Sequence, residues 1–395
     1  MPHHLLPLFF VSFICVSLCH SVSVRTADGF RSLFNQATGG VLKENVELTA
    51  NLDFSNSYIG LPLGASSNWN CIPFSGKLQG NGYSIKGFKM NNTKIKGYNH
   101  AGLFCSLKDA IVENLVIEPS CSFTGYKAGA LSVSVNGSLT VRHTKNYARV
   151  NGEYGVGGFI GMVQRLKQRV VISFEDCVNR GHISVNADNV GGFVGEVVNN
   201  TDITLTISNS TNYGRVYGRH NVGGFVSFGH NNTNMRMTLS DSVNNGTVDG
   251  YESCVGGFVG LLKANTDSFV TVSNFSNNGN IMRVQSNGGG IVGHVLSNTN
   301  TNITISNSIN NAIVTGSNWN QGGFIGFVEG NTKNDNSSLQ VYQQWQCHWC
   351  HKCWVIYWVF EGKHQFSHRC CQFYQQWYCH WEQWHCRWTF GAHLL

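Results

Sequence analysis

The 395-residue chain is long enough to form one elongated domain or two globular ones. It contains 45 Gly, 5 Pro and only 12% charged residues. Because 42% of the residues are hydrophobic, the chain has enough apolar side chains to form a core and is not of the disordered class. The formal net charge is +6, but Lys and Arg are not clustered. We therefore expect no nucleic-acid partner.

The N-terminus carries an apolar run, "LLPLFFVSFICVSLC" at residues 5–19, followed by polar residues. This length is typical of the apolar part of a signal peptide and is short for a membrane span of about 20 residues. We predict a signal peptide over residues 1–21, although no Lys or Arg precedes the run and an uncleaved apolar anchor is the alternative. No later stretch is apolar enough to cross a membrane as a helix. We expect an extracellular or cell-surface protein with no membrane span besides this segment.

Residues 22–130 are predicted to form an N-terminal cap with irregular coils. "ENVELTANLDFSN" and "FSGKLQGNGYSIKGFKMNN" contain short alternating strands separated by Gly and Asn. "AGLFCSL" at residues 101–107 and "AGALSVSV" at 128–135 are weakened copies of a pattern that becomes regular further on. Terminal units of a repeat protein are atypical because they must cap it.

A repeat of about 33 residues dominates the chain from residue 131 to 340. A Gly-Gly-apolar-apolar-Gly pattern recurs at residues 156, 190, 222, 255, 288 and 321. An Asn recurs in step with it at Asn146, Asn179, Asn212, Asn244, Asn277 and Asn310. Such a period is typical of a solenoid in which each unit stacks on the next.

Each unit is predicted to contain three short strands and no helix. "ITLTISNS" (203–210) and "NITISNS" (302–308) alternate apolar and polar residues, so that Leu205, Ile207, Ile303 and Ile305 should face inward. A second strand follows a short turn, and the glycine-rich pattern forms a third. The sequence thus predicts an all-β, right-handed parallel β-helix.

The recurring Asn residues are interpreted as an architectural ladder. Identical polar side chains in successive coils, about 4.8 Å apart, can hydrogen-bond to one another. A second polar column is Asp176, Asn209, Asp241, Asn274 and Asn307. We assign neither column to a catalytic, cofactor or metal site.

The sequons of the chain agree with a secretory route. Nine N-x-S/T motifs are possible N-glycosylation sites, a weak signal in an Asn-rich chain: Asn91, Asn136, Asn199, Asn209, Asn231, Asn245, Asn274, Asn302 and Asn336. The five body cysteines, Cys71, Cys105, Cys121, Cys177 and Cys254, are too sparse for a disulfide framework. Cys105 and Cys121 could pair in the cap, and buried apolar roles are the alternative.

The stretches "FSGKLQGNGYSIKGFKMNN", "HAGLFCSL" and the serial "VGGFVG" units resemble GLUG-motif repeat proteins over residues 45–340. That class comprises secreted or surface β-helix proteins of bacteria and of parasitic protists such as trichomonads. The resemblance implies an adhesin-like surface protein and supplies no shared catalytic motif. The protist members often end in a membrane span, which this sequence does not display.

The composition changes abruptly at Val341. Residues 341–395 contain no Asn or Asp but hold eight of the ten Trp and seven of the fourteen Cys. "QQWQCHWCHKCW" from Gln343 has C-x2-C-x2-C spacing typical of zinc sites. However, "YQQWQCHW" at 342 recurs as "YQQWYCHW" at 374, close to the old period.

A shift of one nucleotide explains this tail. Gln-Gln-Trp-Gln-Cys-His can be encoded CAA CAA TGG CAA TGT CAC, and reading it one base later begins Asn-Asn-Gly-Asn-Val. That is the turn and second strand of the repeat. We therefore interpret residues 341–395 as a frameshifted, poorly ordered tail that is not a native zinc module.

Two classes of function remain open, a binding scaffold and a carbohydrate-active enzyme. Parallel β-helices also form polysaccharide lyases and glycosidases, and a glycosidase needs two carboxylates at a set separation. Asp176 and Asp241 share a column with asparagines, and Glu175 should face the opposite side from Asp176. With no convergent acid–base pair we favour the binding scaffold, without cofactor or calcium.

The expected partners are glycans or proteins on host or neighbouring-cell surfaces. Outward residues such as Arg215, Tyr217 and Tyr251 are candidates for contact. The segments "NNTDIT" (199–204) and "SNTNTN" (297–302) are predicted to protrude as loops at one corner.

Overall fold

A computed structural model describes residues 21–37, 40–56, 61–66, 70–91, 99–184, 188–332, 380–381 and 384–385. Residues 1–20 of the predicted signal peptide, and the tail apart from two residue pairs, lie outside the described residues. The described body is a parallel β-solenoid of about 33 residues per coil, which confirms the predicted all-β solenoid class. Four parallel sheets, here called I to IV in chain order within a coil, run along it.

Sheet I has ten strands, and its residues alternate between the core and the outside. The predicted inward residues Leu205, Ile207, Ile303 and Ile305 are all buried. Each strand pairs with its copy one coil further on, as in Leu205 with Met237. The strands are Ser21–Val24, Asn45–Leu48, Lys77–Gln79, Ala110–Glu113, Leu139–Arg142, Val170–Glu175, Ile203–Ser208, Arg236–Ser240, Phe269–Ser273 and Asn302–Ser306.

Sheet II consists of very short strands that the sequence analysis assigned to a turn. The recurring Asn lies in these strands, so each regular coil has four strand segments where three were predicted. Strands of two residues are enough to form this sheet, because each Asn pairs in register with the Asn of the next coil. The strands are Leu52–Asp53, Ser84–Lys86, Val116–Ile117, Lys145–Asn146, Val178–Asn179, Thr211–Asn212, Val243–Asn244, Ser276–Asn277 and Ile309–Asn310.

Sheet III begins as two lines of short strands and continues as single long ones. The first line is Lys89–Asn91, Ser122–Gly125, Arg149–Gly152 and Ile183–Ser184. The second line is Ala128–Gly129, Tyr154–Gly157 and Asp188–Gly191. Both lines pair with Val216–Gly223, after which come Val248–Gly256, Ile281–Gly289 and Val314–Gly322.

Sheet IV follows the glycine-rich pattern and closes each coil. Its strands are Phe104–Leu107, Ser132–Val135, Ile160–Gln164, Val194–Val198, Val226–His230, Val259–Lys263, Val292–Leu296 and Ile325–Glu329. Three phenylalanines directly precede strands of this sheet and pack in line in the core: Phe159, Phe193 and Phe225, with ring centroids 5.0 and 4.7 Å apart. The tail contributes one described antiparallel pair, His380–Trp381 with Trp384–His385.

The corner between sheets IV and I is a tight turn, so the prediction of protruding loops there is wrong. Thr201, Thr233, Thr266, Thr299 and Thr332 form one continuous line of parallel bridges. The residue before each Thr is an Asn whose side chain turns inward, and Asn200 and Asn298 are at most 2% exposed. Backbone pairing at every coil therefore holds these segments against the body.

A helix and a disulfide build the N-terminal cap. The helix Ala27–Gln36 was not predicted, and it begins where the Thr26 hydroxyl accepts a hydrogen bond from the Gly29 amide at 3.0 Å. Phe30 and Phe34 of this helix pack against Phe104, with ring centroids 6.0 Å apart in both pairs.

The suggested Cys105–Cys121 pairing is wrong, because Cys105 bonds to Cys71. These two cysteines are 34 residues apart, about one coil, so stacking brings them together. Cys121 is a buried free thiol whose Sγ lies 3.3 Å from the Ile85 carbonyl oxygen.

Candidate functional site

The six recurring asparagines form a closed internal ladder. Each is fully buried, and from Asn146 to Asn277 each Nδ2 donates to the Oδ1 of the Asn in the next coil at 2.8–2.9 Å. In five of the six, Nδ2 also donates to a backbone carbonyl, for example from Asn212 to that of Gly214. Because their amide groups are buried and hydrogen-bonded inside the core, these residues cannot contact a ligand.

A second buried Asn ladder was missed by the sequence analysis. Its side chains are linked at 2.9–3.0 Å, and each Oδ1 also accepts the backbone N–H of the preceding member. The signal was available in the sequence as Asn residues at intervals of 32 or 33 residues: Asn200, Asn232, Asn265, Asn298 and Asn331.

The column that contains Asp176 and Asp241 is set by backbone conformation. Its five members all have φ between 46° and 52°, in the left-handed region that Asn and Asp tolerate best. Asn274 donates to Asp241 Oδ1 at 2.8 Å, and Asp176 lies 3.5 Å from His143 Nδ1. Glu175 accepts from Arg142 Nε at 3.0 Å. These contacts are those of a turn column. Arg142 also binds Glu113 at 3.3 Å, so its guanidinium bridges the carboxylates of Glu113 and Glu175.

The predicted sequon asparagines lie mostly on the outside of the coils. Asn91, Asn136, Asn199, Asn209, Asn231, Asn245 and Asn274 are exposed, Asn302 is half-buried, and Asn336 lies outside the described residues. Some of these amides bond along a column, as Asn231 does to Asn199 at 2.7 Å.

An unpredicted acid–base cluster lies between sheets III and IV. Glu196 is 1% exposed, and its carboxylate accepts from Asn189 Nδ2 at 2.5 Å and lies 3.4 Å from Lys127 Nζ. Burial, with the nearby Glu196 charge, raises the pKa of Tyr154. The sequence signal for this cluster was Glu196 in "VGGFVGEV", because the following repeats have Phe228, Leu261 and His294 at the same position.

A buried thiol–imidazole contact lies between the same two sheets, in later coils. Cys254 Sγ is 3.6 Å from His294 Nδ1, and Asn287 Nδ2 is 3.2 Å from the same nitrogen. Burial raises the pKa of Cys254 and, with Lys263 adding to the effect, lowers the pKa of His294 to about 4. The thiol therefore stays protonated near neutral pH, which disfavours a nucleophilic role.

Arginine and tyrosine side chains gather on the outside of sheet III and the corner before it. Tyr217 and Tyr251 stack with ring centroids 6.1 Å apart. The guanidinium carbons of Arg215 and Arg283 lie 5.5 and 5.3 Å from the Tyr217 ring, and both arginines bind the buried Asp249.

Two further contacts extend this group. Arg180 lies over Tyr213 at 4.3 Å, and Arg149 is exposed on the same sheet. We call the group the arginine–tyrosine surface: Arg149, Arg180, Tyr213, Arg215, Tyr217, Tyr251 and Arg283. Arg215, Tyr217 and Tyr251 were expected from the sequence to face outward, and the stacking of the coils places the other four residues beside them.

The described part of the chain shows neither a cluster of metal-ligating side chains nor a membrane-spanning helix. No group of three or more His, Cys, Asp or Glu side chains converges among those residues. None of the helices described there is long and apolar enough to cross a membrane.

No protein-family model and no curated protein matches the chain. A solved structure described as a "putative immunoglobulin A1 protease from Bacteroides ovatus" is similar, with 14% sequence identity and a TM-score of 0.46. The similarity covers 79% of this chain and 84% of that one. It is too distant to indicate an activity.

Proposed function

We propose that this chain is a secreted or cell-surface, adhesin-like binding scaffold without catalytic activity. In this proposal the solenoid is a rigid support, and the arginine–tyrosine surface is the contact region for glycans or proteins of host or neighbouring cells. The resemblance to GLUG-motif repeat proteins supports the same assignment of location and role.

The observation that carries the proposal is that the buried polar side chains of the solenoid are bonded inside the core, while Tyr and Arg side chains are exposed together on its outside. The buried asparagines hydrogen-bond to one another and to backbone groups. By contrast, Tyr213 is 45% exposed, and the side chains of Arg215 and Arg283 are 49% and 53% exposed. Tyr and Arg are enriched where proteins bind partners, because they combine apolar contact area with hydrogen bonding.

A secretory route is supported by the cap disulfide and by the outward sequons. Disulfides persist in oxidising compartments and are rare in the cytosol, and Cys71 and Cys105 are bonded. The sequon asparagines on the outside of the coils are accessible to glycosylation.

A carbohydrate-active enzyme is the second candidate, and the Lys127–Glu196–Tyr154 cluster favours it. A carboxylate, an amine and a phenol in contact are groups that can exchange protons with a substrate. Against this candidate, the Glu196 side chain is only 2% exposed and already has hydrogen-bond and charge partners.

The test compares binding and cleavage with the same purified protein. We expect binding to cell surfaces and to a subset of immobilised glycans, with no release of reducing or unsaturated ends from polysaccharides. Cleavage that is lost in Glu196→Gln and kept in the exposed control Glu175→Gln would replace the scaffold with the enzyme.

A further inference from the structure

We infer that the arginine–tyrosine surface binds a linear anionic polysaccharide along the solenoid axis. This inference rests on the proposed binding function and specifies its ligand class. It is carried by the charge balance of the surface, by its exposed aromatic rings and by its extent along the axis.

The surface has more cations than anions. Arg215 and Arg283 share a single carboxylate, that of Asp249, which is 1% exposed. Among the described residues no carboxylate forms an ion pair with Arg149 or Arg180, and both are exposed. Four guanidinium groups of this surface therefore accompany one buried carboxylate. Two further acidic side chains on sheet III, those of Asp188 and Glu252, each have a basic partner of their own. The arginine–tyrosine surface thus keeps an excess of cations and is complementary to a polyanion.

Guanidinium groups suit the anions that occur in polysaccharides. Their planar donor pairs match carboxylates and sulfate-like groups in a bidentate geometry. In Arg215 and Arg283 the bonds to Asp249 and the contact with the Tyr217 ring orient these planes in advance. A ligand that meets oriented groups loses less side-chain entropy on binding.

The aromatic rings favour a sugar chain over a small inorganic anion. Tyr213 is 45% exposed although Arg180 lies over its ring, and Tyr251 stacks on Tyr217 beside the arginines that lie over Tyr217. A tyrosine ring offers a flat apolar face next to a polar hydroxyl, which matches a sugar ring with apolar faces and polar edges.

The extent of the surface favours a polymer. Arg149, Arg180, Arg215 and Arg283 lie within five successive coils, linked through the pairs Val150–Ile183, Ile183–Val216, Val216–Val248 and Val248–Ile281. The coil of Val248 contributes no arginine to the surface. Four coil steps correspond to roughly 19 Å at the usual strand spacing. Charges repeated over that length act together on a chain with a charge in each repeat unit.

The experiment measures binding of the full chain to four immobilised polymers: a polyuronate, a sulfated polysaccharide, a neutral glucan and single-stranded DNA. We expect binding to the polyuronate, the sulfated chain or both, weakened as salt rises from about 0.05 to about 0.5 M. Whichever of these two polymers binds more tightly shows whether the preferred anion is a carboxylate or a sulfate. Binding to the neutral glucan should be at least about tenfold weaker.

Variants locate the site. Arg149→Gln with Arg180→Gln should weaken anionic-polysaccharide binding roughly tenfold and reduce its salt dependence. The matched control is Arg236→Gln, because Arg236 also lies over an aromatic ring, Phe269 at 4.8 Å, but on sheet I. Unchanged circular dichroism verifies that the exposed substitutions leave the fold intact.

Three results would overturn the inference. These are equal binding to the neutral glucan, tighter binding to DNA than to either polysaccharide, or equal losses in the double variant and in Arg236→Gln. In the neutral-glucan case the scaffold proposal still stands. Absence of binding to every polymer and also to cells contradicts both proposals.

Discussion

At the scale of single residues, the chain repeats polar side chains for several distinct physical reasons. Asn212 belongs to a buried ladder that satisfies backbone and side-chain groups inside the core. Asn278 belongs to an exposed ladder, in which it donates to Asn245 and accepts from Asn311 at 2.9 Å. Asp241 and Asn274 are instead suited to a backbone with positive φ. An Asn therefore contributes a different amount to the free energy of unfolding in each column.

Replacing Asn212 by Ala should lower the free energy of unfolding by about 2–3 kcal/mol, because buried polar groups of its neighbours lose their partners. Asn212 accepts from Asn179 at 2.8 Å and donates to Asn244 at 2.9 Å. The matched exposed change Asn278→Ala should cost about 0.5 kcal/mol, since water replaces the lost bonds. Urea unfolding measures both, and equal losses would contradict the ladder's energetic role.

His294 should make the protein less stable as the pH falls from about 6.5 toward 4. Burial lowers its pKa to about 4 from the usual 6.5 of histidine, so the unfolded chain binds the proton first and acid favours unfolding. His100, whose pKa burial also lowers to about 4, adds to the effect.

His294→Phe tests this assignment. His294 pairs in register with Leu261 and Phe327, so an aromatic apolar side chain suits the column. The variant should show a shallower loss of unfolding temperature between pH 6.5 and 4.5 than the parent chain. An identical pH profile would show that His294 does not contribute.

At the scale of elements, the cap differs most from expectation. The helix Ala27–Gln36 places Phe30 and Phe34 against the first coils, and both side chains are at most 4% exposed. The Cys71–Cys105 bond then links two stacked coil segments next to this helix. In the regular part, backbone pairing between coils holds each coil in place, whereas at the N-terminal end the helix and the disulfide do so.

Cys71→Ser with Cys105→Ser should lower the free energy of unfolding by about 3 kcal/mol. The reason is that the disulfide closes a loop between residues 34 positions apart and so restricts the unfolded chain. A reductant should destabilise the parent chain and leave the double variant unchanged. Peptide mapping provides the second measurement. A Cys105–Cys121 peptide would contradict the structure, in which burial raises the pKa of the Cys121 thiol to about 11.

At the scale of the whole molecule, one continuous core joins cap and coils. It extends from Val24 in the first strand of sheet I to Phe324 beside the last strand of sheet IV. Each coil contacts the coils before and after it through all four sheets in the regular part. This arrangement provides a long, rigid outer surface on which residues from distant parts of the sequence, such as Arg180 and Arg283, lie on the same sheet side.

Resequencing the coding DNA tests the origin of the tail. We expect Asn codons one base downstream of the first base of the codons for Gln343, Gln344, Gln375 and Gln376, with at least two further coils in that frame. If Asn is not encoded there, the frameshift interpretation is wrong. A zinc-binding assay on the cysteines from Cys347 onward then becomes the relevant measurement.

The sequence alone was sufficient for the solenoid, its period and its inward residues, because stacking repeats the same local environment about every 33 residues. Leu205 and Ile305 could be assigned to the core from alternation alone, and both are buried. The Cys71–Cys105 bond, the Lys127–Glu196 contact and the cluster of Arg215 with Arg283 needed the tertiary structure. Each joins residues 34 to 69 positions apart, and whether such residues meet depends on register and on which way each turn directs its side chain, which no local pattern encodes.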